Sequence, residues 1–93
     1  MYRIVYAKQA AKDIKHLKAA GLDKKAKELI EVVRIDPFQI PPPYEGLVGN
    51  LVGFYSRRIN IRHRLVYQVY HEIEGDYDGT VKIVRMWTHY EGL

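Results

Sequence analysis

Every proline of this 93-residue chain falls between positions 37 and 43: Pro37, Pro41, Pro42 and Pro43. A proline ring fixes φ and removes a backbone donor, so neither a helix nor an internal strand can run through such a stretch. Residues 36–46 therefore read as an ordered, extended crossing of stiff polyproline character. Pro37 stops whatever helix precedes it, and the crossing delivers Glu45 to a defined place.

Before the crossing, the apolar spacing is helical. Residues 2–6 mix β-branched and aromatic side chains and predict a short first strand. From Lys8 onward, Ala10, Ile14 and Leu17 recur at spacings of four and three, with Lys12, Asp13, Lys15 and Lys18 between them, as an amphipathic helix requires. Gly21 ends that helix, and Asp23 is placed to cap a second one. In that helix Ala26, Leu29, Ile30 and Val33 form a single stripe. In a chain this short, two such stripes need a sheet to bury them.

After the crossing, Val, Ile, Tyr and Leu dominate residues 51–59, 63–71 and 81–88, which predict three strands. A short turn at residues 60–62 joins the first two, and an acidic hairpin tip at 72–79 joins the last two. The expected fold is α+β with two layers, in the order β-α-α-β-β-β, its C-terminal antiparallel meander packed on the helical hairpin. The length implies one domain, 1–93, because so small a chain cannot divide its core. No internal repeat or low-complexity tract interrupts it.

Composition narrows the chemistry. With no cysteine there is no disulfide framework, thiolate nucleophile or thiolate zinc site. His16, His63, His71 and His89 show no metal-binding spacing, and no glycine-rich phosphate loop or serine elbow occurs, so no metal or other cofactor is expected. The first eight residues lack the long apolar run of a signal peptide, and no stretch approaches the roughly 18 residues that cross a bilayer. A cytoplasmic chain with no membrane partner is the expectation.

The formal net charge of +4 is concentrated. Residues 53–64 hold Arg57, Arg58, Arg62 and Arg64 and no acid, on a strand, a turn and the start of the next strand. Arginine presents a planar fork that matches paired phosphate oxygens and keeps its charge at any ordinary pH, so the cluster points to anion recognition. Strand alternation sets Phe54, Ser56 and Arg58 against Tyr55, Arg57 and Ile59, and Arg64, Val66 and Gln68 against Leu65, Tyr67 and Val69. The pattern alone leaves open which face is the core. Strand twist can bring Arg58, Arg64 and His89 together in either case.

Glu45, these arginines and His89 with Tyr90 suit one reaction. Cleaving RNA through its own 2′-hydroxyl needs a base for that proton, cations for the charge growing on phosphorus, and an acid for the departing 5′-oxygen. On residue type alone each has a plainer reading: Glu45 as a solvated loop residue, His89 as a packed or exposed histidine, and the arginines as partners of surface carboxylates. Trp87, Tyr55 and Tyr67 read either as base-stacking or as core aromatics.

The second half of the chain resembles a known family. Pro37-Phe38, then Glu45, Leu47 and Asn50-Leu51, then Gly53-Phe54-Tyr55-Ser56-Arg57-Arg58-Ile59, then His63-Arg64-Leu65-Val66-Tyr67, and finally His89-Tyr90 are similar, block by block, to the Txe/YoeB branch of the RelE toxin superfamily. The resemblance implies a RelE-like microbial-RNase fold and a type II toxin that cleaves mRNA in the ribosomal A site. In that family pattern Glu45 matches the general base, His89 the general acid and Arg64 the arginine on the transition state. Arg58 matches a supporting phosphate contact and Tyr90 the penultimate aromatic, which leaves Arg57 and Arg62 to hold RNA at a distance. The partners implied are a cognate antitoxin protein, the ribosome with its mRNA, a second copy of the chain, and operator DNA only in complex with the antitoxin. A non-catalytic RNA- or DNA-binding module, and a degenerate toxin relative acting through protein partners, are the alternatives. Three departures mark this chain: Val48 where relatives carry a lysine, the acidic loop 72–78, and Glu91-Gly92-Leu93 after the terminal His-Tyr pair.

Overall fold

In the computed structural model, which describes residues 1–88, strand β1 (Arg3–Tyr6) leads directly into helix α1 (Lys8–Ala19). Gly21 ends α1 as expected, with φ at 72°. Its N–H donates to Lys18 O at 3.1 Å and that of Leu22 to Leu17 O at 2.8 Å, the paired bonds of a Schellman motif. Helix α2 (Asp23–Ile35) follows at once. Asp23 does not cap it: Leu22 occupies the cap without a side-chain hydrogen bond, and Asp23 is the first helical residue, where its charge favours the N-terminal end of the dipole.

The proline stretch departs from expectation. It turns at Pro37–Phe38 and bends at residues 40–42, so it is a bent loop and not an extended crossing. It feeds a two-residue strand that the sequence does not suggest, β2 (Glu45–Gly46). A 3-10 turn over Gly49–Leu51 then shortens the next strand, and β3 (Phe54–Arg58), β4 (Arg64–Tyr70) and β5 (Thr80–Arg85) complete the sheet.

The five strands lie in the order β1-β5-β4-β3-β2. The meander is antiparallel throughout, while β1 runs parallel to β5, with Ile4 opposite Val81 and Tyr6 opposite Ile83. Both helices cover one face of this sheet. Ala10, Leu17, Ala26, Leu29 and Val33 from the helices meet Leu65, Tyr67, Val81 and Ile83 from the strands and Ile59 just after β3, all nearly excluded from water. The core therefore takes the Tyr55-Arg57 face of β3, continued by Ile59, and the Ser56-Arg58 face turns away from the helices. No helix among the described residues is long and apolar enough to cross a membrane.

Candidate active site

On the face of the sheet away from the helices, register brings the expected residues together. Glu45 of β2 pairs with Ser56 of β3, Ser56 pairs with Val66 of β4, and Arg58 pairs with Arg64 one step along the same face. Pro43, Tyr44, Glu45, Ser56, Arg58 and Arg64 line a cleft of about 410 Å³ there. Ser56, which the sequence reading did not single out, is buried beneath it. Only its alternation with Arg58 could have marked it.

The cleft is electrostatically unfinished. Arg58 and Arg64 sit directly opposite one another on neighbouring strands, an arrangement of like charges that is unfavourable by itself. Among the described residues neither forms an ion pair with a carboxylate, and the Arg64 Nε is buried without a hydrogen-bond partner. Two guanidinium groups so placed can receive an oxyanion, and Glu45 lines the same cleft.

Arg57 requires a correction. Expected to hold RNA, it is instead 1% exposed, on the opposite face of β3. Its Nη2 donates to Pro37 O and Gln39 O, both at 3.0 Å, its Nη1 to Pro42 O, and its Nε to the Tyr67 hydroxyl at 3.2 Å. The Tyr67 hydroxyl donates onward to Pro37 O at 2.7 Å. Burial pushes the Tyr67 phenol up to about 12, against the opposing pull of the Arg57 charge. Arg62 lies on the exposed turn, where Asn60 Oδ1 accepts its backbone N–H at 2.9 Å, and it does not line the cleft.

His89 and Tyr90 lie outside the described residues, but the chain leading to them is firmly held. The Arg64 N–H donates to Thr88 O at 2.8 Å, so the residue before His89 lies against the first residue of β4. Asp13, buried in α1, accepts from Arg85 Nε at 3.0 Å and from the Met86 and Trp87 N–H groups at 2.9 and 3.3 Å. Trp87 stacks on His63 at 3.8 Å between centroids and on His16 at 5.4 Å. Tyr67 is core and Tyr55 packs edge-on to Phe38 at 5.1 Å, so these three aromatics are occupied by internal contacts. No three His, Cys, Asp or Glu side chains among the described residues converge to hold a metal ion.

The family model described as "YoeB-like toxin of bacterial type II toxin-antitoxin system" matches residues 6–90. Toxin YoeB of Escherichia coli (strain K12) is 52% identical over 46 residues, which are 50% of this chain and 55% of that protein; the match thus spans little more than half the length of that relative. A YoeB/ParE toxin from Agrobacterium tumefaciens superposes with a TM-score of 0.79 at 27% identity, over 95% of this chain and 99% of the other. YoeB of Staphylococcus aureus, solved as a dimer and in a YoeB-YefM complex, superposes at 0.73 in both, with 32% and 33% identity over 96% and 97% of this chain and 98% and 99% of that one.

Proposed function

Because the chain belongs to the YoeB-like toxins of bacterial type II toxin-antitoxin systems, we propose that it is an endoribonuclease that cuts mRNA in the ribosomal A site and so inhibits translation. The observation that carries this reading is the cleft, which Glu45 lines together with two guanidinium groups that, among the described residues, have no carboxylate partner. A phosphodiester completes that charge pattern, and its 2′-hydroxyl supplies a proton for Glu45 to take.

In the proposed reaction, Glu45 accepts the 2′-hydroxyl proton while that oxygen bonds to phosphorus. Arg64 takes up charge on the non-bridging oxygens, and Arg58 supports it from the facing strand. The bond from phosphorus to the 5′-oxygen breaks, and His89 protonates the leaving oxygen, with Tyr90 assigned as the active-site aromatic. The products are a 2′,3′-cyclic phosphate and a 5′-hydroxyl. The step needs no metal or other cofactor.

The proposed site of action is the cytoplasm, on ribosomes. The proposed partners follow S. aureus YoeB: a cognate antitoxin and a second copy of the chain. Contact with operator DNA is proposed only for the complex with antitoxin. Primer extension on mRNA from a translating extract tests the function. The wild type should create new 5′ ends at A-site positions, and the Glu45→Ala, His89→Ala double variant should create none. Equal translation in the presence of either protein would overturn the reading.

A further inference from the structure

The Arg57 latch lies outside the proposed chemistry, yet it is built around the loop that carries the proposed base. A buried cation that only filled space could be replaced by an apolar side chain at little cost. Arg57 instead spends its guanidinium donors on the carbonyls of Pro37, Gln39 and Pro42 and on the Tyr67 hydroxyl. A loop with four prolines has few N–H groups with which to organise itself, so its carbonyls must find donors elsewhere. The guanidinium supplies them from one rigid plane.

The grip closes on Glu45 from both sides. Pro42 is three residues before it, and the ring of Tyr44, the residue immediately before it, lies under the Arg57 guanidinium at 5.1 Å. On the strand side, Ser56 adjoins Arg57 and pairs with Glu45. The side chain of Arg57 thus holds the loop while its backbone neighbour holds the strand. We propose that Arg57, with Tyr67 as its brace, is the positioning residue for Glu45, fixing the carboxylate at its distance from the phosphate held by Arg58 and Arg64. This rests on the reading of Glu45 as the base.

A double-mutant cycle tests it. Cleavage is followed at saturating protein on mRNA-programmed ribosomes for wild type, Arg57→Lys, Glu45→Gln and the pair. Lysine keeps the charge but cannot span three carbonyls with a planar fork. In the wild-type background Arg57→Lys should lower the saturating rate about 100-fold, the scale of an ångström of misplacement, and leave the half-saturating concentration unchanged. In the Glu45→Gln background it should cost almost nothing further, because no base remains to be placed. An equal loss in both backgrounds would make Arg57 merely structural, and a change confined to half-saturation would make it an RNA contact; either result overturns the proposal. Tyr67→Phe, which removes one hydroxyl and keeps the cation, runs through the same cycle so that a folding failure of Arg57→Lys does not decide the matter. If Glu45→Gln alone cleaves at the wild-type rate, it is the assignment of the base that fails, a separate and visible result.

Discussion

Arg57 and Arg58 are consecutive in the chain and opposite in fate. One is sealed in the core against backbone carbonyls, the other is exposed in the cleft, because side chains alternate across a strand. Arg64, half-buried and with an unpaired Nε, is the stronger candidate for the reacting phosphate, while Arg62 on its exposed turn lies outside the cleft and is proposed only as a remote contact. Arg64→Ala should lower the saturating cleavage rate by about 10²- to 10³-fold. Arg62→Ala should leave that rate intact and reduce the salt slope of binding by about one, measured by titrating ribosome binding at several salt concentrations. Tyr67 adds a prediction about stability. Its phenol is raised to about 12 by burial, so the neutral form is favoured in the folded state. That contribution is fully present below pH 10 and is lost as pH rises through about 12, on the order of 2 kcal/mol in total. Urea melts between pH 8 and 12 should show this decline in the wild type, and a shallower one in Tyr67→Phe.

At the scale of elements, the helical hairpin, the meander and their two-layer packing were legible because apolar spacing reports each period directly. Ala10, Ile14 and Leu17, or Leu65 and Tyr67, could belong to little else. The core face of the sheet was not legible, since a buried arginine in β3 disguises it, and charge is an unreliable guide to exposure when carbonyl dipoles can receive it. Strand β2 was also hidden. Two residues carry no periodic signal, and their pairing is set by the loop that Arg57 holds. In the site, Glu45, Arg58 and Arg64 line one cleft, and strand alternation with Arg58 is the one local mark on Ser56, whereas the Arg57 latch depends on long-range contacts that no local pattern encodes. Asp13 is another such contact, joining α1 to the end of β5. Asp13→Asn leaves Arg85 with a weakened partner and should cost about 3 kcal/mol. Chemical denaturation measures this, and a cost under about 1 kcal/mol would mean that the buried acceptor is replaceable.

Over the whole molecule, charge is sorted along β4. Arg64 begins the strand and the acidic loop follows its last residue, about 20 Å away at the usual rise per residue. Within that loop Asp78 pairs with the Met1 amino group at 2.7 Å and Glu74 with Arg3 at 3.8 Å, and no loop acid lines the cleft. The Arg58–Arg64 face is thus free of the hairpin's acids, and the helices and the acidic hairpin occupy other surfaces, an arrangement that suits the proposed RNA substrate. Such a face would also serve a protein that merely binds RNA, so chemistry has to be separated from affinity. The direct measurement compares wild type with Glu45→Gln on programmed ribosomes, recording binding and the appearance of 5′-hydroxyl ends in the same samples. The account predicts equal binding and cleavage slowed by about 10²- to 10⁴-fold in the variant. Wild-type binding without new 5′-hydroxyl ends, or equal cleavage by both proteins, would contradict it.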